Sequence, residues 1–190
     1  NIGINMTNFY KLIKTMTNTD TLSLYLSKTE PNHLGIKMDN IEKNCSTVYK
    51  LNLLDIDDDP ISIPPATFDT ELTLPSQDFQ KLIRDMMNIG ENVDVKSENN
   101  SLKFSCLGDF AHQETVLCET NNGLQITQTN EKCIHGSYSL RYLLLFTKCT
   151  NMCNQINMYI KNDYPLVIRY SVASLGDIKL CLAPNVNDST

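Results

Sequence analysis

FYKLIKTM, Phe9 to Met16, recurs further along the chain as FQKLIRDM, Phe79 to Met86. Laid one over the other without a gap, the two stretches match Phe9, Lys11, Leu12, Ile13, Lys14 and Met16 with Phe79, Lys81, Leu82, Ile83, Arg84 and Met86. Self-similarity of this kind means that one structural unit has been used at least twice. The apolar residues fall at helical spacing, and each stretch follows polar residues able to cap a helix, Thr7 and Asn8 in the first copy and Ser76 in the second. The repeat therefore predicts two short amphipathic helices.

Alternating, strand-like sequence follows each helix, TLSLYL (Thr21 to Leu26) after the first and NVDVKS (Asn92 to Ser97) after the second. A more diverged third copy is expected at SLRYLLLFTKC, Ser139 to Cys149, because the strand-like QINMYI follows at a similar interval. Lys11 and Lys14, and likewise Lys81 and Arg84, are three apart and share a helix face, while the leucines and isoleucines point elsewhere. Arg141 and Lys148, seven apart, are expected to share a face of the third helix. On any single helix such a pair is ordinarily the solvated side. Recurrence at matching positions is what singles these residues out.

The 190 residues are 41% hydrophobic and 20% charged, as in an ordinary globular protein large enough for one large or two modest cores. There is no apolar run long enough to span a bilayer and no secretory pattern at the start, so an intracellular compartment is expected. The seven cysteines include no CxxC pair and read as free, mostly buried thiols; no zinc and no cofactor is expected. A formal net charge of -6 excludes a protein that coats nucleic acid over its whole surface and leaves room for a local basic one.

LLDIDDDPISIPPATF, Leu53 to Phe68, is the one stretch that reads as a linker, because prolines at 60, 64 and 65 continue neither a helix nor a central strand. The domains are placed at 1–54, 55–68 (the connecting segment) and 69–190. DIDDDP begins like a calcium loop, but Pro60 replaces the turn glycine and Ala66 stands where a bidentate carboxylate is needed. Ile61 and Ile63 alternate with Ser62, so both side chains face one way, either stapling the linker down or offering an apolar contact. Closely spaced strand-like stretches from Thr70 onward, with turn signals at Asn99 and Asn100, at Gly108 and Asp109 and at Asn121 to Gly123, predict an α+β fold of repeated helix-plus-antiparallel-sheet units in two domains.

Taken together, GINMTNFYKLIK, LLDIDDDPISIP, LPSQDFQKLIRDMMNIGE, SLRYLLLFTK and YPLVIRYSVASLGDIKLCLAPNV closely resemble the proliferating cell nuclear antigen family, the DNA sliding clamps. The resemblance implies the DNA-clamp fold: rings of three two-domain subunits whose helices line a central hole, with sheets outside. It implies that Lys11, Lys14, Lys81, Arg84, Arg141 and Lys148 face duplex DNA and meet phosphates without regard to sequence. It further implies a client-peptide pocket at Ile61, Ile63, Phe68, Pro165, Cys181, Ala183 and Pro184. Cys181 stands there where relatives often carry an aromatic residue. Tyr49 matches one subunit edge and Gln113, Thr115 and Leu117 the other. Asn99 falls near a lysine that accepts ubiquitin in eukaryotic relatives, so that regulation is not expected here.

By the same resemblance the first of the family's four helices is missing, and residues 1–54 correspond to the C-terminal half of a first clamp domain. The implied partners are DNA polymerase, flap endonuclease, DNA ligase and a clamp loader. The implied location is the nucleus of a eukaryote, the cytoplasm of an archaeon or a viral replication site. Two rival classes stand against this reading. A cysteine hydrolase lacks a motif around His33, His112 or His135. A clamp-related adaptor, or a fragment, would bind client peptides without encircling DNA.

Overall fold

The computed structural model describes residues 2–56, 66–98, 101–129 and 133–185. The chain divides into two compact units, Asn1–Pro64 and Pro65–Thr190.

In the first unit, helix α1 (Met6–Ile13) precedes an antiparallel meander of β1 (Asp20–Ser27), β2 (Glu30–Asn40) and β3 (Cys45–Asn52), in that order across the sheet. Alternation on β2 sends Leu34, Ile36 and Met38 to one face, where Phe9, Leu12, Ile13 and Met16 from the helical repeat close over them. The register sets Leu22, Leu24 and Leu26 of β1 beside these three residues, yet they remain 37%, 51% and 49% exposed. On the opposite face the Tyr25 ring lies over Gly35, where any β-carbon would collide with it.

Helix α1 begins earlier than its sequence predicts. Asn5, not Thr7 or Asn8, is the cap, and its side-chain oxygen accepts from the Asn8 backbone N–H at 3.0 Å. The helix ends at Ile13, with Lys14 at the C-cap and Met16 beyond it. The opening GINM forms no strand; Gly3 makes an isolated bridge to Leu54. Pro31 and Asn32 lie at the start of β2.

The second unit holds two antiparallel sheets. The first has the order β12-β11-β10-β4-β8 and contains β4 (Thr70–Pro75), β8 (Gln125–Thr129), β10 (Gln155–Ile160), β11 (Leu166–Val172) and β12 (Gly176–Leu182). The second has the order β7-β6-β5-β9 and contains β5 (Asn92–Glu98), β6 (Ser101–Leu107), β7 (His112–Cys118) and β9 (Ile134–Ser139). Helices α2 (Ser76–Met87) and α3 (Leu140–Phe146) pack against each other. Phe79, Ile83 and Met86 of α2 and Leu140 and Leu143 of α3 join one core with the inward residues of both sheets. This is the predicted α+β architecture, mostly antiparallel sheet with few helices.

Ser76 is the first residue of α2 rather than its cap, and its buried hydroxyl donates to the Cys153 and Thr150 carbonyls at 2.7 and 3.2 Å. The third helix is also shorter than expected. After Phe146 the chain tightens into a 3-10 segment, Thr147–Met152, in which Thr147 and Thr150 donate back to the Leu144 and Thr147 carbonyls. Lys148 belongs to that segment, so the seven-residue spacing to Arg141 no longer implies a common α-helical face. The cysteines are free, but only Cys106 is buried; Cys45, Cys118 and Cys133 are exposed at strand ends.

Candidate nucleic-acid interface and client site

The helical repeat separates its side chains by function. On α2, Phe79, Leu82, Ile83 and Met86 are buried while Lys81 and Arg84 are exposed; on α3, Leu140 and Leu143 are buried while Arg141 is exposed. Lys11 and Lys14 at α1 and Lys148 on the 3-10 segment are exposed as well. None of these six cations closes an ion pair among the described residues, although Asp78 and Asp85 share α2 with Lys81 and Arg84.

Most cations on the sheets behave differently. Lys37 pairs with Asp39 at 2.8 Å, Lys50 with Glu30 at 2.7 Å, Lys96 with Glu98 at 2.6 Å, Lys103 with Glu114 at 2.5 Å and Arg169 with Asp177 at 2.7 Å. Lys179 on β12 and Lys28 and Lys43 in turns close no ion pair among the described residues, so open cations are concentrated at the helices without being confined to them, and a polyanion gains most by displacing counterions where such cations recur.

A second constellation lies on the outward face of the five-stranded sheet. The β11–β12 register pairs Leu166 with Leu182 and Val167 with Cys181, so Pro165, just before β11, and Ala183 and Pro184, just after β12, stand at the same end of the hairpin. Tyr159 on β10 pairs with Val167, which puts Tyr159, Val167 and Cys181 in one row on one face. Phe68 packs on that row, with ring centroids 5.3 Å from Tyr159 and 5.6 Å from Tyr164, the latter edge-on. Burial pushes the half-buried Cys181 thiol up, so it stays protonated and acts as a small apolar group. Phe68, Pro165, Cys181, Ala183 and Pro184 therefore belong to one neighbourhood, while Ile61, Ile63 and Asn99 lie outside the described residues. The sequence reading did not single out Tyr159 and Tyr164. The alternation of QINMYI, with Ile156, Met158 and Ile160 buried, is the signal that turns Tyr159 outward.

Beside this row, Arg169 Nη2 and the Ser171 hydroxyl each donate to the Asp177 carboxylate at 2.7 Å. The Arg169 bond, with help from Ser171, holds that carboxyl below its ordinary value of 3.8. A depressed carboxyl stabilises the fold above its unfolded value, and that contribution is lost as pH falls through the folded one. Thermal unfolding is expected to be insensitive to pH down to about 5 and to weaken below about 4, with a shallower decline in Asp177→Asn. Identical acid profiles for the two proteins would assign no stability to the pair.

The proposed joint residues sit on strand edges. Among the described residues β3 pairs only with β2 and β7 only with β6, so each leaves one backbone edge open, as the other edge strands do. Tyr49 packs against the core of the first unit and Leu117 against that of the second, while the Gln113 side chain donates to the Thr115 hydroxyl at 3.3 Å. Among the described residues, no three His, Cys, Asp or Glu side chains gather as metal ligands would, and no helix is long and apolar enough to cross a membrane.

Residues 62–185 match the family described as proliferating cell nuclear antigen, C-terminal domain. The chain belongs to the proliferating cell nuclear antigen family, the DNA sliding clamps. A probable DNA polymerase sliding clamp of Paramecium bursaria Chlorella virus 1 is 32% identical over 187 residues, which cover 96% of this chain and 71% of that protein. The proliferating cell nuclear antigen of Chaetomium thermophilum is 28% identical over 193 residues, covering 98% of this chain and 73% of that protein. Sliding-clamp relatives thus occur in both a virus and a eukaryote, and they align along nearly the whole chain.

Proposed function

We propose that this chain is a sliding clamp that closes with two further copies into a ring around duplex DNA, holds a polymerase there and recruits client proteins. It performs no chemistry of its own. The carrying observation is a bias in charge: among the described residues the cations of the helical repeat close no ion pair, whereas five of the six on the strands do, Lys179 being the exception. Lys11, Lys14, Lys81, Arg84, Arg141 and Lys148 are assigned to phosphates. Unspecific, salt-sensitive contact of this kind lets a protein move along a duplex.

Residues 1–54 are assigned to a first clamp domain, 55–68 to a connecting loop and 69–190 to a second clamp domain. The loop residues Ile61 and Ile63, with Phe68, Pro165, Cys181, Ala183 and Pro184, form the client site, where an apolar anchor of a short peptide is buried. The clients are DNA polymerase, flap endonuclease, DNA ligase and the clamp loader, met at the site of replication. The ring joint sets Tyr49 on β3 of one copy against Gln113, Thr115 and Leu117 on β7 of the next. Open backbone edges and the half-exposed Val48 and Val116 on these strands support that pairing.

Light scattering on the chain across a concentration series tests the ring. The expected mass is three times 21.5 kDa. A monomer at all concentrations would leave a client-binding protein that does not encircle DNA by itself.

A further inference from the structure

The turn that leads into β7 holds an aromatic ring out to solvent. Phe110 is 77% exposed, and Leu107, at the end of β6, is as open. The turn itself is well seated. Its Gly108 N–H donates to the Ala111 carbonyl at 2.9 Å, and Gly108 lies so close to the Ile89 carbonyl after α2 that no β-carbon fits there. The ring is thus presented on a turn that is closed by its own hydrogen bond and pressed against the chain behind it.

An apolar seat stands at one end of β3. The Leu53 N–H donates to the Asn32 carbonyl, and the Leu54 N–H donates to the Gly3 carbonyl at 2.8 Å on the other side of the strand. Gly3 therefore stops the open edge of β3 just past Asn52. A β-carbon on Gly3 would collide with the Leu54 carbonyl and the Ile56 side chain, so these residues gather round it, and Ile2, Leu54 and Ile56 remain about half exposed.

Tyr49 and Leu117 pack inward, so alternation turns Val48 and Lys50 of β3 and Glu114 and Val116 of β7 to the outer face. Run antiparallel, the two open edges match along their length. Val48 stands by Val116, Lys50 by Glu114 and Leu54 by Phe110, opposite one another in one register and diagonal neighbours in a register two residues away. A parallel arrangement with the two valines together would send Phe110 to the far end of β3 from Leu54. The charges agree as well. Lys50 meets Glu30 and Glu114 meets Lys103 within the chain, and the antiparallel joint links these two pairs into one row of alternating sign.

Resting on the ring-joint reading above, we infer that Phe110 is the anchor of that joint, buried against Ile2, Leu54 and Ile56 of a second copy, while Lys50 and Glu114 set the direction in which the strands meet. A ring already held on a closed turn loses little freedom on docking, so one such side chain can dominate an interface between short strands.

Light scattering on the full chain across a concentration series reads the assembly. Phe110→Ser is expected to weaken each joint roughly 30-fold, the loss of one strong anchor, and so to raise the concentration at which the trimer forms. Its circular dichroism spectrum should match the wild type, because the residue is exposed. Phe110→Asp and Leu54→Asp should each be monomeric alone. Mixed in equal amounts they should give a dimer of twice 21.5 kDa, since the first keeps an intact seat, the second an intact anchor, and one sound joint remains. A wild-type chain that is monomeric at every concentration removes the ring-joint reading and this inference together. A wild-type trimer that Phe110→Ser assembles equally well leaves the joint standing and overturns the anchor, as does a mixture of folded aspartate variants that stays monomeric.

Discussion

Lys81→Ala combined with Arg84→Ala is expected to shorten the products of single-encounter primer extension by roughly five-fold at 0.1 M salt, while client-peptide affinity stays at the wild-type value. Both side chains are exposed on α2 and neither is paired among the described residues, so their removal breaks no contact of the fold. What changes is the number of phosphates the helix face neutralises. Each lost contact lowers the slope of log affinity against log salt by ~0.9, so the double variant should lose ~2 from that slope for every chain engaged. Undiminished product lengths would remove the phosphate assignment from α2. A parallel fall in peptide affinity would mean that the substitutions act through folding instead.

The other large effect is on stability. Phe79→Ala is expected to cost ~3–5 kcal/mol, because Phe79 is fully buried among the inward residues of α2, α3 and both sheets of the second unit. For a protein with ~5–15 kcal/mol in hand, this lowers the thermal midpoint by roughly 10 °C or more. Phe9, its counterpart in the first copy of the repeat, is only half-buried, and Phe9→Ala should cost clearly less, about 1–2 kcal/mol. Denaturant melts of the two variants decide the matter. Equal losses would mean that the two copies are packed alike, against the burial seen for Phe9 and Phe79.

The repeat made both amphipathic helices and their exposed basic pairs legible, because recurrence at matching positions is hard to produce except by a shared unit. The alternating stretches after Thr70 were legible as strands for a similar reason, since each has its own local period. Helix ends were harder to read. Asn5, Thr7, Asn8 and Ser76 are all good caps by type, and what chooses among them is where the chain leaves its extended path, which tertiary contacts such as Ser76 to Cys153 decide. The 3-10 segment that displaces Lys148 rests on threonine hydroxyls bonding back along the chain, a feature that apolar spacing does not register. Tyr159 went unmarked because its neighbours Phe68 and Arg169 are distant in sequence and meet it only through sheet register.

The carboxylates on the outer strands acquire a role from this arrangement. Asp39, Glu98, Glu114 and Asp177 each occupy a cation that would otherwise be as open as Lys81. Each thereby removes one open cation from the strands that carry it. Loss of any one of them, by substitution or by protonation in acid, would free its cation as an off-register landing place for nucleic acid.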